Sequence, residues 1–501
     1  MTITTKNGKE IDLKSHLFEA CNILRGPINQ DEYKSYLTPL LFFKRISDVY
    51  DAETQKALAE SDNDFEYAAF PENHRFVIPN GCHWDDIREK TENIGAAIGN
   101  AMRGVERANP KTLMGVFSSF DEANWTDKQK LSDERLKDLI EHFSMIEFTN
   151  ENYSADLMGD AYEYLIKRFA DMSKKNAGEF YTPRAVVKLL VKILDPKANE
   201  TVYDPACGTG GMLIEAIRHM NNDKLTFGKI HGQEKNLSNS AIARMNLFLH
   251  GAEDFKIEQG DTLRNPAFVN RGNLATFDCV IANPPFSLKK WGDDMWVNDR
   301  YGRNIWGTPP TSYADYAWIQ HMVSSMAKGT GRHAVVLPQG VLFRGNKEYE
   351  IRKKMILSDK VECVINLVGN LFYGATIPAC IVVFRETKKQ ERKNKVLFID
   401  ASSIYTPIRA QNTLTEENVE VIFKLYEEFN TQENFSKLAL VEEIEKNNFD
   451  LSVQKYVSKA EVKEEISLEE AKQQLFQSME ELFKKEEELF QLLKKEGFVN
   501  V

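Results

Sequence analysis

A run from Asp204 to Met212 reads Asp-Pro-Ala-Cys-Gly-Thr-Gly-Gly-Met and joins an apolar strand start to an apolar helix. Glycine at such a turn lets the backbone approach a ligand, because no Cβ stands in the way. The run is not a phosphate-binding P-loop, since no Gly-Lys-Ser/Thr follows it, and it lacks the spacing of the GxGxxG dinucleotide fingerprint. It therefore predicts a ligand-binding turn of another kind.

This turn resembles the first motif of S-adenosylmethionine (AdoMet) methyltransferases. In that family the glycines make room for the methionine part of AdoMet, so we expect AdoMet as the co-substrate. The candidate cofactor-binding residues within the turn are Asp204, Ala206, Gly208, Thr209, Gly210 and Gly211.

Two acids follow at the points where the next two strands should end, Glu234 in His-Gly-Gln-Glu and Asp261 in Gln-Gly-Asp. A carboxylate placed about 25 residues beyond the glycine turn can accept hydrogen bonds from both ribose hydroxyls, as in dinucleotide sites. In the resembled family the acid at the position of Asp261 contacts the adenine amine of AdoMet. A simple turn acid remains the alternative for Asp261.

A third cofactor segment lies upstream of the turn, just before an apolar helix. Thr182 is a natural N-cap and Pro183 a natural first helical residue, and the N–H groups of a helix start can hold a carboxylate. The segment resembles the extra cofactor motif of gamma-ordered amino-methyltransferases, although a helix cap without a ligand is the alternative. Its candidate binding residues are Glu179, Phe180, Tyr181, Thr182, Pro183 and Arg184.

The candidate catalytic residues are Asn283, Pro284, Pro285 and Phe286, which follow the apolar run Phe-Asp-Cys-Val-Ile-Ala. The exocyclic nitrogen of adenine is a poor nucleophile because its lone pair is delocalised into the ring. The Asn283 side-chain oxygen and the Pro284 carbonyl could accept both N–H bonds, and two prolines fix the backbone that carries them. Phe286 could stack on an adenine swung out of the duplex.

Basic and aromatic residues alternate in the loop that follows. Such interleaving suits the phosphates and bases of a displaced DNA strand, whereas solvated lysines and partly buried aromatics are the alternative. The loop contains Lys289, Lys290, Trp291, Trp296, Arg300, Tyr301, Arg303 and Trp306.

From about residue 177, short β-branched runs alternate with helical segments. These elements must position the candidate residues. This pattern predicts a mostly parallel, doubly wound sheet with ligands beyond the carboxyl ends of its strands. We expect an α/β fold with a Rossmann-like AdoMet-dependent methyltransferase domain, an all-helical N-terminal domain and a helical C-terminal tail. The expected boundaries are 1–150, 151–412 and 413–501. The strand runs are TVYDPAC, KIHGQE, FKIEQGD, FDCVIANPPF, RHAVVLPQGVLF, VECVINLVG and ACIVVFRE.

Nearly the whole chain resembles the modification (methyltransferase) subunit of type I restriction–modification systems. The resemblance extends from the helical start LRGPINQDEYKSYLTPLLFFKRISDVY through GEFYTPR, DPACGTGG, HGQE, NPPF and PQGVLF to NLFYGATIPACIVVF, which places Phe372 and Tyr373 near the target pocket. It implies AdoMet-dependent methylation of adenine at N6 in double-stranded DNA. It also implies two modification subunits on one specificity subunit, with a translocating restriction subunit added for cleavage.

The net charge of −11 seems to oppose DNA binding, which depends on Lys and Arg. Residues 411–501 hold 21 acidic and 11 basic residues, which leaves 54 acidic and 53 basic residues in the body. The body is thus nearly neutral. We therefore expect a DNA enzyme that grips DNA poorly without a partner.

The acidic tail contains a predicted helix over 467–496, in which a Leu-Phe pair recurs every seven residues from Leu475 to Phe490. Such a seam requires a helical partner. We expect it to bind the helices of a specificity subunit, and folding back onto its own domain is the alternative.

The remaining composition argues against several classes of protein. The six cysteines form no CxxC pair, so we expect neither a metal site nor disulfides. There is no apolar run near the ~20 residues of a membrane span and no signal-like N-terminus, so we expect a cytoplasmic protein without membrane contact. The functional alternatives are a protein glutamine-amide methyltransferase and a non-catalytic AdoMet-binding scaffold of a restriction complex.

Overall fold

The computed structural model describes most of the chain, and the statements below concern these residues. The described ranges are 2–4, 10–30, 32–110, 112–120, 123–149, 164, 182–220, 229–250, 252, 254–372, 378–408, 411–457 and 468–495. Residues up to Val457 form one compact unit and Ser458–Val501 a second one. None of the described helices is long and apolar enough to span a membrane.

The N-terminal part is helical after a short hairpin of strands β1 (Thr2–Thr4) and β2 (Glu10–Asp12). Asp12 caps the first helix by accepting a hydrogen bond from the Ser15 N–H at 2.9 Å. The helices are α1 (Leu13–Leu24), α2 (Tyr33–Glu60), α3 (Phe65–Ala68), α4 (Trp84–Arg88), α5 (Ile94–Ala108) and α6 (Asp133–Ser144).

The rest of the first unit is built on the predicted sheet. Its strands are β3 (Val202–Asp204), β4 (Ile230–Glu234), β5 (Phe255–Gln259), β8 (Cys279–Ala282), β9 (Arg332–Pro338), β10 (Val361–Asn366), β11 (Ala379–Arg385), β12 (Lys395–Asp400) and β15 (Ser436–Leu440). Small two-stranded ladders are formed by β6 (Val269–Asn270) with β7 (Asn273–Leu274) and by β13 (Thr406–Ile408) with β14 (Gln411–Thr413).

The helices of this part are α7 (Arg184–Leu194), α8 (Gly211–Met220), α9 (Leu237–Leu249), α10 (Asp293–Trp296), α11 (Asp315–Ser324), α12 (Lys347–Leu357), α13 (Glu416–Glu428) and α14 (Val441–Lys446). Short 3-10 turns occur at Pro71–Asn73, Ser118–Phe120, Gln339–Leu342, Gln390–Arg392 and Val453–Lys455. The second unit is described over α15 (Leu468–Lys495).

The described strands of the central sheet have the order β15-β12-β10-β11-β9-β8-β3-β4-β5. The pairs β3–β4, β4–β5, β3–β8, β8–β9 and β10–β12 are parallel, whereas β11 and β15 run antiparallel to their neighbours. The predicted fold class, a mostly parallel α/β sheet with helical N- and C-terminal regions, is confirmed. After β3 the chain builds one side of the sheet and then crosses to β8, so the strand order reverses between them.

Alternating side chains place two cores on the faces of the sheet. Ile281 and Val336 point to a core that includes α7, α8 and α13, whereas Val280 and Val335 point to a core that includes α11 and α12. Each strand in the middle of the sheet is buried on both faces, which explains why these strands have continuous apolar sequences. The helical N-terminal part packs on α9, where the Phe248 ring lies 5.6 Å from that of Phe42.

The edge strand β15 is absent from the sequence prediction, which expected only a helix-rich region after residue 413. Ser436–Leu440 pairs antiparallel with β12, and Phe398 of β12 stacks on Tyr456 at 3.9 Å between ring centroids. Pairing of an edge strand depends on backbone groups rather than on an apolar side-chain pattern, so the sequence carried little signal for it. The segment up to Val457 is thus part of the compact unit.

We expect Phe398→Ala to lower the free energy of unfolding by about 3–5 kcal/mol, since a fully buried ring leaves a cavity. Phe65→Ala is the matched control, because this ring is 74% exposed and should cost less than about 0.5 kcal/mol. Denaturant unfolding of the full chain measures both variants. A loss of stability in Phe398→Ala as small as that in Phe65→Ala would contradict the buried packing of Phe398 against Tyr456.

Candidate active site

The glycine turn connects the end of β3 to the start of α8. Gly208 and Gly210 have φ angles of +53° and +84°, in the left-handed region that favours glycine. A Cβ added to Gly210 would lie 3.4 Å from the Cα of Ala243 in α9, so the turn also packs closely against this helix. These two positions explain why the turn requires glycine for its own folding.

The outer side of the turn borders open space. A Cβ added to Gly208 or Gly211 would meet no heavy atom of the described chain within 4 Å. The turn lies at the carboxyl end of β3, next to the reversal of strand order where α/β sheets bind their ligands. The residues present therefore leave open space beside Gly208 and Gly211, a cradle that is compatible with a small molecule such as AdoMet.

Glu234, at the end of β4, is tied directly to this turn. Its two carboxylate oxygens accept hydrogen bonds from the N–H of Gly208 at 2.9 Å and from the N–H of Asn236 at 2.7 Å. Burial raises the pKa of Glu234, although these N–H groups lower it. The predicted ribose-binding acid therefore lies beside the glycine turn, as the sequence predicted.

Asp204 is a second buried acid in the same place. The pKa of this carboxyl is raised to about 8, because burial and the negative charge of Glu234 raise it more than the hydrogen bond from the Ala206 N–H lowers it. The carboxyl group is only 2% exposed. A carboxylate at this point would therefore gain from a nearby positive charge.

Asp261 follows β5 and lies at the same edge of the sheet. Its carboxylate forms an ion pair with Lys235 at 2.8 Å and accepts a hydrogen bond from the Arg264 N–H at 3.2 Å. The neighbouring Thr262 hydroxyl donates to the Pro205 carbonyl at 2.6 Å, which joins this loop to the glycine turn. The structure thus brings the glycine turn, Glu234 and Asp261 to one edge of the sheet.

Asn283 comes directly after β8, which lies between β3 and β9. Its side-chain Nδ2 donates a hydrogen bond to the Thr182 hydroxyl at 2.9 Å. Its Oδ1 is buried and has no hydrogen-bond partner among the described residues. Because an unpaired buried acceptor is costly, this oxygen is suited to a donor on a ligand.

Phe286 is half-buried three residues later. Its ring meets that of Phe372 in an edge-to-face contact, with 6.0 Å between ring centroids. Pro284 is buried and Pro285 is exposed. The predicted neighbour Tyr373 lies outside the described residues.

The backbone just after Phe286 is held by a buried charge network that the sequence did not predict. Ser287 has a φ angle of +54°, and its N–H donates to Asp315 at 2.9 Å. Arg344 bridges Asp315 at 2.8 Å and Glu348 at 3.2 Å. In the sequence, Asp315 resembles an ordinary acidic residue at a helix start, and Arg344 resembles an ordinary basic residue in a loop. No sequence pattern therefore predicts that the two form an ion pair.

The predicted helix cap at Thr182 is wrong. Helix α7 begins at Arg184, and the Pro183 carbonyl accepts the first helical hydrogen bonds from Val186 at 2.9 Å and Val187 at 3.1 Å. Pro183 is thus the N-cap, while the Thr182 side chain is engaged by Asn283. Glu179, Phe180 and Tyr181 lie outside the described residues.

The basic and aromatic loop is mostly a structural element, which favours the second of its two interpretations, solvated lysines with buried aromatic side chains. Arg303 is buried, pairs with Asp299 at 2.6 Å and stacks over Trp296 at 4.4 Å. Trp291 and Trp306 are buried as well. Sequence alternation could not distinguish buried cation–π packing from an exposed binding surface. The exposed cations of this loop are Lys289, Lys290 and Arg300.

Comparison with known proteins identifies two family matches. Residues 153–465 match the family described as N-6 DNA Methylase, and residues 13–143 match the HsdM N-terminal domain.

Individual relatives cover most of the chain. The type I restriction enzyme MjaVII methylase subunit of Methanocaldococcus jannaschii is 33% identical, over 87% of this chain and 76% of that protein. The MpnII methylase subunit of Mycoplasma pneumoniae is 28% identical, over 92% and 91%. The crystal structure of a type I restriction-modification methyltransferase subunit from Streptococcus thermophilus is similar with a TM-score of 0.77 and 28% identity, over 89% of this chain and 99% of that one.

The raised pKa of Asp204 predicts a pH dependence of stability. The pKa is 3.8 in the unfolded reference and about 8 in the fold, so the folded state binds more protons between these values. The stability contributed by the protonated carboxyl is therefore present at low pH and lost as the pH rises towards 8. We expect Asp204→Asn to lack this decrease in stability with rising pH. Measuring the free energy of unfolding of both proteins from pH 5 to about 8 tests this expectation.

The exposed Asp294 supplies a control, because Asp294→Asn removes a carboxylate of the same type from the surface. Its unfolding profile should run parallel to that of the wild type. Parallel profiles for Asp204→Asn and the wild type would contradict the raised pKa of Asp204.

Proposed function

Because this chain belongs to the N-6 DNA methylase family as the methyltransferase subunit of a type I restriction–modification system, we propose that Asn283, Pro284, Pro285 and Phe286 form its catalytic site. The enzyme uses AdoMet to methylate the N6 amine of adenine in DNA. The observation that carries the assignment of residues is the buried Asn283 Oδ1 without a partner among the described residues.

The proposed chemistry depends on hydrogen-bond acceptors rather than on a strong base. Asn283 Oδ1 and the Pro284 carbonyl accept the two N–H bonds of the adenine amine, which draws its lone pair out of the ring. AdoMet supplies an electrophilic methyl group when bound. As the nitrogen gains positive charge in the transition state, its N–H bonds become stronger donors, so both acceptors stabilise the transition state more than the ground state.

The target adenine must leave the DNA duplex to reach these acceptors. The half-buried Phe286 offers its ring for stacking, and Phe372 holds that ring in an edge-to-face contact. Tyr373 is a further candidate for contact with the base. The exposed Lys289, Lys290 and Arg300 are suited to the phosphates beside the flipped nucleotide.

The cofactor residues are assigned by the donor and acceptor groups that they present. The cradle at Gly208 and Gly211 would hold the methionine part of AdoMet, with Asp204 facing its positive charges. Glu234 would accept from the ribose hydroxyls and Asp261 from the adenine amine. The segment 179–184, with Ala206, Thr209 and Gly210 of the turn, completes the proposed set.

The two functional alternatives are less well supported. A glutamine-amide methyltransferase does not require the helical start, whereas residues 13–143 match the HsdM N-terminal domain. A non-catalytic scaffold does not require an unpaired acceptor at Asn283.

As a subunit, the chain works within a complex, and we propose that α15 contacts the specificity subunit. The Leu-Phe pairs of this helix are exposed at Leu475, Phe476, Leu482, Phe483, Leu489 and Phe490. Ser467 and Glu496, the predicted ends of this helix, lie outside the described residues. A second modification subunit and a translocating restriction subunit complete the proposed assembly, which acts on double-stranded DNA in the cytoplasm.

We also propose the domain division 1–150, 151–412 and 413–501, with the last region supplying the partner-binding helix. The family matches over 13–143 and 153–465 support the first boundary. The edge strand β15 joins part of the last region to the sheet, so its partner-binding function is assigned to the helix alone.

Asn283→Ala should slow methyl transfer about 10²- to 10³-fold, because one of two transition-state acceptors is lost. Labelled-methyl transfer to unmethylated DNA by the complex with the specificity subunit measures the rate, and calorimetry should show unchanged AdoMet affinity. Asn100→Ala, an exposed asparagine of α5, is the control and should retain the wild-type rate. Transfer at the wild-type rate in Asn283→Ala would refute the catalytic assignment.

The partner contact predicts the effect of substitutions in α15. Phe476→Ser, Phe483→Ser and Phe490→Ser together should abolish co-purification with the specificity subunit, because the apolar seam is lost. AdoMet affinity should not change, as in a deletion of residues 467–501.

The matched control changes three exposed residues on the other half of the same helix, Gln477→Ser, Lys484→Ser and Gln491→Ser. This variant should co-purify like the wild type. Retention of the specificity subunit by the phenylalanine variant would exclude the proposed contact.

A further inference from the structure

The side chain of Thr182 reaches the catalytic site from a segment far away in sequence. Its hydroxyl accepts a hydrogen bond from Asn283 Nδ2 at 2.9 Å across 101 residues. We propose that Thr182 is a positioning residue whose hydroxyl keeps Asn283 Nδ2 hydrogen-bonded while Oδ1 faces the substrate amine. This inference rests on the proposed function of Asn283.

The orientation of the carboxamide decides whether it can act. A half-turn of the group exchanges Oδ1, an acceptor, with Nδ2, a donor. The adenine amine offers only N–H donors, because its lone pair belongs to the ring. A carboxamide turned with Nδ2 inwards would place a donor against a donor, and the proposed acceptor function would be lost.

Thr182 stabilises the productive orientation by giving Nδ2 a partner at the opposite end of the group. A hydroxyl accepts as well as donates, so Thr182 alone would tolerate either orientation. The adenine amine then selects the orientation with Oδ1 inwards, and Thr182 keeps Nδ2 satisfied in that state. Without the hydroxyl, Nδ2 would lose its partner while Oδ1 binds the amine.

The Thr182 side chain is available for this role because it does not cap the next helix. The Pro183 carbonyl accepts from the Val186 and Val187 N–H groups, so α7 begins without the Thr182 hydroxyl. Removing that hydroxyl should therefore leave the start of the helix intact. A loss of activity can then be separated from a loss of local structure.

The main test compares Thr182→Val, which keeps the shape and removes the hydroxyl, with Thr182→Ser, which keeps the hydroxyl. Both are made in the full chain and assayed in complex with the specificity subunit by single-turnover transfer of labelled methyl groups at saturating AdoMet and DNA. We expect Thr182→Val to slow transfer roughly 10- to 100-fold, the effect of an unsatisfied buried donor. Thr182→Ser should recover most of the rate.

Two further readouts distinguish positioning from cofactor binding or folding. The melting temperature should remain at the wild-type value in Thr182→Val, and because AdoMet is saturating, a weaker affinity for AdoMet cannot cause the loss of rate. In the Asn283→Ala background, Thr182→Val should cause no additional loss of rate, since the group that it positions is gone.

Each contrary outcome overturns the inference in a recognisable way. A wild-type rate in Thr182→Val, an equal loss in Thr182→Ser, an additive loss in the double variant, or a loss confined to AdoMet affinity would each exclude the positioning role. In all these cases the wild-type complex still methylates adenine, so the proposed function stands. If the wild-type complex transfers no methyl group to adenine, the proposed function and this inference fail together.

Discussion

The site depends on one hydrogen-bonding constraint, the unequal pairing of the two ends of the Asn283 carboxamide. Nδ2 is satisfied by Thr182 at 2.9 Å, while the buried Oδ1 has no partner among the described residues. Burying an acceptor without a donor costs free energy, so the surrounding fold must hold it in place. A substrate amine can satisfy this unpaired oxygen by donating an N–H hydrogen bond to it.

The fold meets this constraint by fixing the chain on both sides of Asn283–Phe286, the proposed catalytic run. Strand β8 lies between β3 and β9, which locks the residue before Asn283 into the middle of the sheet. After Phe286 the backbone is held by Asp315, which is itself paired with Arg344. The reversal of strand order beside β3 brings the glycine turn to the same edge, so methyl donor and acceptor oxygens can meet.

Local patterns were sufficient to predict much of this arrangement. The glycine turn, Glu234, Asp261 and the residues after β8 could be placed because parallel strands end at one edge of a sheet. The long-range contacts of Thr182 could not be predicted, since its position before Pro183 is equally typical of a helix cap. The sequence left two interpretations of the tryptophan-rich loop open for a similar reason, because exposed and buried cation–π pairs share one sequence pattern. Strand β15 could not be predicted, because pairing through backbone groups leaves little pattern in the side-chain sequence.

The central claim is that Asn283 Oδ1 and the Pro284 carbonyl receive the amine of a flipped adenine. A structure of the complex with the specificity subunit, target DNA and an AdoMet analogue without a transferable methyl group tests this claim most directly. We predict the adenine N6 within hydrogen-bonding distance of both oxygens, about 2.7–3.2 Å, with Asn283 Nδ2 still donating to Thr182. An adenine amine bound elsewhere, or an Asn283 carboxamide turned with Nδ2 towards the base, would contradict the claim.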